Sequence, residues 1–212
     1  VMMFLQYAIW GSWAPFLWPF LTAQSPDGLG MTDPQAAFIF GLLWLACIFA
    51  PFTGGQIADR WVPTQWFLGV AHLAGGVVML MASRAQDFSN VALYMGIYAL
   101  LYAPTLALTN SLAFHHIRDE KQFGVVRVWG TIGWIVAGIM LTVWRSVGVP
   151  GGVADCLMLS AVISLVMGAY CFLLPHTPPA KNDAADPLAF RRAFVLLKQP
   201  NFLVFMLIAF VV

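Results

Sequence analysis

Residues 91–113 read VALYMGIYALLYAPTLALTNSLA, a run without one charged side chain. An α-helix advances about 1.5 Å per residue, so this run is roughly 35 Å long. A bilayer's hydrocarbon layer is about 30 Å thick, and about 20 apolar residues cross it. Outward from this run, comparable segments lie at about 2–22, 36–57, 66–83, 125–144 and 154–174, and another begins near 201. The breaks carry turn chemistry: Ser25-Pro26-Asp27-Gly28, Asp33-Pro34, Pro150-Gly151-Gly152 and Pro178-Pro179. Inside lipid each backbone amide needs a partner within its segment or a close neighbour. Long runs with few alternating polar positions favour helices over a barrel. The expected fold class is all-α, a polytopic membrane protein of six helices and the start of a seventh.

The whole chain agrees with that solvent. Of its 212 residues 61% are hydrophobic and 9% charged, against roughly 25% charged in a soluble domain. Aromatics make up 15%, including nine Trp, many near the ends of apolar runs, where amphipathic rings settle at the lipid–water boundary. A net charge of +1 without a basic block offers nothing to nucleic acid. Cys47, Cys156 and Cys171 sit in apolar stretches without metal-ligand spacing. The opening Val1-Met2-Met3-Phe4-Leu5-Gln6 lacks a basic n-region and reads as a span that has lost its leader. Residues 202–212 are too short to cross a bilayer, so the chain reads as truncated at its C-terminal end.

Basic residues set an expected orientation. With the N-terminus inside, Arg60, Arg118, Lys121, Arg127, Lys181, Arg191, Arg192 and Lys198 are cytoplasmic, and only Arg84 and Arg145 lie outside. That asymmetry follows the positive-inside rule. Between His176 and Gln199, a polar opening gives way to Leu188, Phe190, Phe194, Leu196 and Leu197 alternating with Arg191, Arg192 and Lys198. This is an amphipathic helix on the inner membrane face, or else an ordinary basic loop. The expected organisation is a bundle over 1–175, a cytoplasmic linker over 176–200 and the start of a seventh span over 201–212.

The fifth span opens Arg127-Val128-Trp129-Gly130-Thr131-Ile132-Gly133-Trp134. At about 3.6 residues per turn, Arg127, Thr131, Trp134 and Gly138 share one face. An Arg at the start of a span is costly unless it meets a wet cavity or a partner. A fork of donors beside an indole suits a planar, oxygen-rich solute. The bland alternative is a snorkelling Arg with helix-packing glycines behind it. On span one Gln6, Trp10, Trp13 and Leu17 share a face, and on span four Tyr98, Tyr102, Thr105 and Thr109 do. Such faces line a cavity, or they are interhelical glue with hydroxyls bonded to neighbouring carbonyls. Gly55, Asp59 and Arg60 form a turn after span two whose carboxylate opposes the helix dipole, and a releasable partner there would serve gating. His72 within span three is a proton-relay candidate, or a buried hydrogen-bonding group. Neither a metal site nor a nucleophile–base pair nor a phosphate-binding glycine loop is present, so an enzyme is not expected, and no cofactor is implied.

Several of these stretches resemble one family. Residues Phe4-Leu5-Gln6-Tyr7-Ala8-Ile9-Trp10-Gly11-Ser12-Trp13, Ala58-Asp59-Arg60-Trp61, Tyr102-Ala103-Pro104-Thr105-Leu106 with Thr109-Asn110, Arg127 to Trp134, and Leu174-Pro175-His176-Thr177-Pro178 resemble the bacterial nucleoside:proton symporters, a branch of the major facilitator superfamily. The fifth-span motif also resembles the oligosaccharide:proton symporters. The resemblance implies a twelve-helix, two-bundle transporter with alternating access, of which this is the N-terminal half. The second six-helix bundle, with the remaining contacts and the proton-coupling acid, is its missing partner. It implies that Arg127, Thr131 and Trp134 face a nucleoside; Gln6, Trp10, Tyr102 and Thr105 complete the expected contact set. Of the superfamily's loop after helix two, Gly55, Asp59 and Arg60 carry over, whereas Trp61-Val62-Pro63-Thr64 departs from it. The expectation is nucleoside import by proton symport across the cytoplasmic membrane, with nucleoside, protons and lipid as partners. A sugar:proton symporter and a non-transporting membrane sensor or scaffold are the rivals.

Overall fold

The computed structural model describes the chain except residues 51–53, 55–56, 59–60, 118, 148–153, 180–197 and 212. The described elements are α1 (Met2–Thr22), α2 (Asp33–Ala50), α3 (Thr64–Ala82), α4 (Phe88–His116), a 3-10 turn (Glu120–Gln122), α5 (Phe123–Ser146), α6 (Asp155–Cys171) and α7 (Pro200–Val211). Among the described residues all regular structure is helical, and each expected span overlaps one helix; most of 51–57, the expected end of the second span, lies outside the described residues. Helices α2, α3, α4 and α5 are each long and apolar enough to cross a membrane, and α6 is a shorter apolar helix. Residues Val1–Pro179 form one compact unit and Ala180–Val212 another. The expected amphipathic linker helix lies almost wholly outside the described residues.

Local chemistry sets several ends. Asp87 caps α4, its Oδ1 accepting from the Asn90 backbone N–H at 3.0 Å, which satisfies one of the donors every helix start leaves open. That cap and the C-terminal His115 and His116 carry α4 beyond the apolar run on both sides. Helix α7 opens on Pro200, where the missing N–H removes no helical bond.

Packing within the first unit is pairwise: α1 lies along α5 and α6, α3 along α4 and α6, and α2 along α4. The α1–α5 seam is built on absent side chains. A Cβ at Gly11 would lie 2.5 Å from the Trp134 carbonyl oxygen, and one at Gly133 would collide with the Phe4 carbonyl. Glycines let the two backbones touch, which maximises dispersion contact where lipid gives no hydrophobic drive between helices.

The bundle exposes large apolar side chains and encloses a mostly apolar core with a few buried polar groups. Phe38, Ile48, Val77 and Leu100 are exposed, whereas Gln6, His72, Thr105, Thr109, Ser160 and Ser164 are buried. Lipid accepts the first set, and interior hydrogen bonds satisfy the second. At the helix ends, Arg145 Nε donates to Asp155 Oδ2 at 2.8 Å, and Nη2 pairs with Oδ1, tying the end of α5 to the start of α6. After α6, the Thr177 N–H donates to Gln65 Oε1 at 3.0 Å, pinning the outgoing chain to the start of α3.

Candidate solute-binding site

Helix α5 buries Gly130, Gly133, Ala137 and Leu141, a stripe of helical spacing turned to α1. Arg127, Thr131 and Trp134 run beside that stripe. Thr131 is exposed, and Arg127 and Trp134 are half-buried. Arg127 Cζ sits 3.9 Å from the centroid of the Tyr7 ring. Among the described residues the guanidinium meets no carboxylate and makes no hydrogen bond. The guanidinium carbon lies over the Tyr7 ring, and its N–H donors have no partner among the described residues.

One turn along α1, Trp10 meets Trp134 edge-to-face with centroids 5.1 Å apart. Trp10 also meets Trp44 of α2 at 6.2 Å. Around these rings lies a cavity of about 350 Å³, lined among others by Trp10, Trp13, Phe40, Leu43, Trp44 and Trp134. Small-molecule pockets span about 300–1,000 Å³ and are mostly apolar with a few placed polar groups. The structure thus brings Arg127, Trp10 and Trp134 into one continuous strip, with Tyr7 joining the cation to the indoles at 6.4 Å from Trp10.

Gln6, Tyr102 and Thr105 are placed differently. Their side chains are sealed within the bundle. Gln6 Nε2 donates to Thr105 Oγ1 at 2.8 Å, Thr105 Oγ1 donates to the Tyr102 carbonyl at 2.6 Å, and the Tyr102 hydroxyl donates to the Gln6 carbonyl at 2.7 Å. His72 Nε2 lies 2.8 Å from Gln6 Oε1, and Ser164 Oγ donates to the His72 carbonyl at 2.9 Å. Of the two readings of this face, these contacts are those of interhelical packing: Tyr102 and Thr105 both bond to Gln6 of α1. His72 is a buried hydrogen-bonding group of this network. Asp59, Gly55 and Arg60, the expected gating turn, lie outside the described residues.

These shared features can be set against known proteins. Residues 1–212 match the family described as nucleoside H+ symporter. The chain belongs to that family. YegT of Escherichia coli strain K12 is 34% identical over 99% of this chain and 49% of its own length. The xanthosine permease of the same strain is 30% identical over 99% of this chain and 50% of its own length, and the nucleoside permease NupG is 27% identical over 97% and 49%. A crystal structure of the nucleoside transporter NupG superposes with a TM-score of 0.77 at 27% identity, covering 97% of this chain and 51% of that one. The chain thus spans about half the length of the curated relatives it matches. Those relatives carry transporter and permease names, and the nucleoside H+ symporter family is one of multi-pass membrane proteins.

Two residues beside the cavity escape a reading of helical faces. Tyr7 falls between the Gln6 and Trp10 positions and looks like one more apolar-face aromatic. Trp44 is one of several large side chains on α2. An aromatic three residues from Trp10 was the available signal for Tyr7; for Trp44 the sequence offers none. Asn110 adds an open acceptor: its Oδ1 is buried without a hydrogen-bond partner among the described residues, on the α4 face that also carries Leu106 and Ala113.

Proposed function

We propose that the full-length protein imports nucleosides by proton symport with alternating access. This chain supplies one wall of the solute cavity. The proposal extends to a cytoplasmic-membrane location with the N-terminus inside, supported by the eight-to-two distribution of basic residues. It also extends to residues 1–175 as one six-helix bundle, 176–200 as a cytoplasmic linker and 201–212 as the start of the next span. A second bundle supplies the opposite wall and the proton-accepting acid.

The observation that supports this reading is Arg127, unengaged among the described residues and joined through Tyr7 and Trp10 to the aromatic cavity. Five N–H donors in a rigid plane match carbonyl and hydroxyl oxygens. Indole faces and edges match a planar base. Trp134 and Trp10 pack the ring, Thr131 offers a hydroxyl, and Arg127 bonds the polar edge. Gln6, Tyr102 and Thr105 act behind them as a rigid backing. Gly55, Asp59 and Arg60 remain the proposed gating turn.

The test is uptake into proteoliposomes holding the full-length protein, driven by an inward proton gradient. Uridine or adenosine should accumulate, and Arg127→Ala should cut the rate at least tenfold at unchanged protein level. Uptake of sugars without either nucleoside would transfer the protein to the sugar:proton symporters. Unchanged nucleoside uptake by Arg127→Ala would remove this residue from the site.

A further inference from the structure

We propose that Tyr7 is the positioning residue of the solute site: its ring, seated in the notch left by Gly130, holds the Arg127 guanidinium with the donor edge open. The proposal rests on Arg127 being a solute contact. Tyr7 is 8% exposed, and its ring centroid is 3.9 Å from Arg127 Cζ. A Cβ at Gly130 would stand 2.7 Å from both Tyr7 Cδ2 and Arg127 Nη1. Any larger residue there would push the ring and the cation apart. The Tyr7 hydroxyl makes no hydrogen bond among the described residues, so the ring is what the structure uses.

The chemistry explains why a ring stands where a carboxylate would be the ordinary partner. A carboxylate neutralises the cation and occupies two or more of its five donors. A solute would then have to break a charge-assisted pair before binding. An aromatic ring attracts the cation through its quadrupole and covers only the guanidinium face. Every N–H stays free in the guanidinium plane. The same ring restrains a side chain with several rotatable bonds, so less conformational freedom is lost when solute arrives. Tyr7 also touches Trp10, which touches Trp134, so the orientation of the cation is set relative to the indoles.

The experiment uses full-length protein and separates ring electronics from ring shape. Position 7 is changed to Phe, then to phenylalanines carrying one, two and three ring fluorines, by genetic code expansion. Fluorination weakens the quadrupole and changes shape little. With Tyr7→Phe as the reference, the KM for nucleoside uptake should rise stepwise, to about tenfold at three fluorines, with Vmax within about twofold. Tyr7→Leu should match the trifluorinated ring. In an Arg127→Gln background the series should be flat. A flat series with Arg127 intact would show that Tyr7 merely packs. A tenfold loss on Tyr7→Phe alone would show that the hydroxyl matters instead. Either result overturns the proposal. Normal KM for Arg127→Gln would instead overturn the solute-contact reading itself, so the two failures are distinguishable.

Discussion

Gln6 of α1 and His72 of α3 meet at 2.8 Å through Oε1 and Nε2, where both side chains are fully enclosed by the bundle. With Gln6 Nε2 donating to Thr105, Oε1 is the atom facing the imidazole, and it accepts from His72 in the tautomer that carries hydrogen on Nε2. Gln6→Leu would orphan that N–H and should cost about 1–3 kcal/mol, seen as a lower Tm in detergent. Replacing both partners, Gln6→Leu with His72→Phe, should recover part of the loss. A double variant no more stable than the single one would show that these two groups are not coupled.

The α1–α5 seam makes a second prediction. At Gly133 the neighbour is the Phe4 carbonyl, which is backbone and cannot swing away. Gly133→Ala should therefore destabilise by about 1–3 kcal/mol, the usual scale of overpacking. Gly41 is a control, because nothing stands within 4 Å of a Cβ there. Gly41→Ala should be neutral or stabilising by up to about 1 kcal/mol. Equal melting temperatures for the two variants would contradict the close approach.

The chain leaving α6 is held by a clasp. Gln65 Oε1 accepts from the Thr177 N–H at 3.0 Å while Nε2 lies 2.8 Å from His176 Nδ1. The Thr64 N–H donates to the Thr177 carbonyl at 3.2 Å, and His116 Nε2 reaches Thr177 Oγ1 at 2.8 Å. Gln65→Leu removes two of these contacts. Hydrogen exchange at the Thr177 amide should speed up at least tenfold, with exchange in α5 unaltered. Unchanged protection at Thr177 would mean that the segment is held by something else.

Asp87 gives a pH dependence with a definite sign. Its bonds from the backbone and side chain of Asn90 hold its carboxyl below the usual value of 3.8. A depressed folded-state pKa means stability that is complete above the unfolded value and fades as pH falls through the folded one. Asp87→Ala should thus lower Tm at pH 7, and the gap to the unaltered protein should narrow below about pH 4. A gap that stays constant down to pH 3 would remove the ionised cap from the account.

How much of this was legible in the sequence depends on what periodicity carries. The helix count and approximate ends follow from run length and turn residues, and among the described residues six helices and the start of a seventh lie where those signals put them. The line Arg127–Thr131–Trp134 follows from about 3.6 residues per turn, and in the structure it does run along one edge of α5. The same rule grouped Tyr98, Tyr102, Thr105 and Thr109 correctly, but grouping does not say what a face meets. That face meets α1: the Tyr102 hydroxyl donates to the Gln6 carbonyl, the Tyr98 hydroxyl accepts from Trp13 Nε1, and Thr105 and Thr109 donate to carbonyls of their own helix.

The sequence by itself determined that lipid is the solvent, that the chain crosses it as helices, and which residues share each helical face. Hydrophobicity and the helical repeat are local properties, written in consecutive residues. Only the tertiary structure decided that Gln6 faces His72 inside the bundle while Arg127 leans on Tyr7 with its donors open. Those pairings depend on the rotation and separation of helices distant in the chain, set by where glycines let backbones touch. No single run of residues encodes that relation.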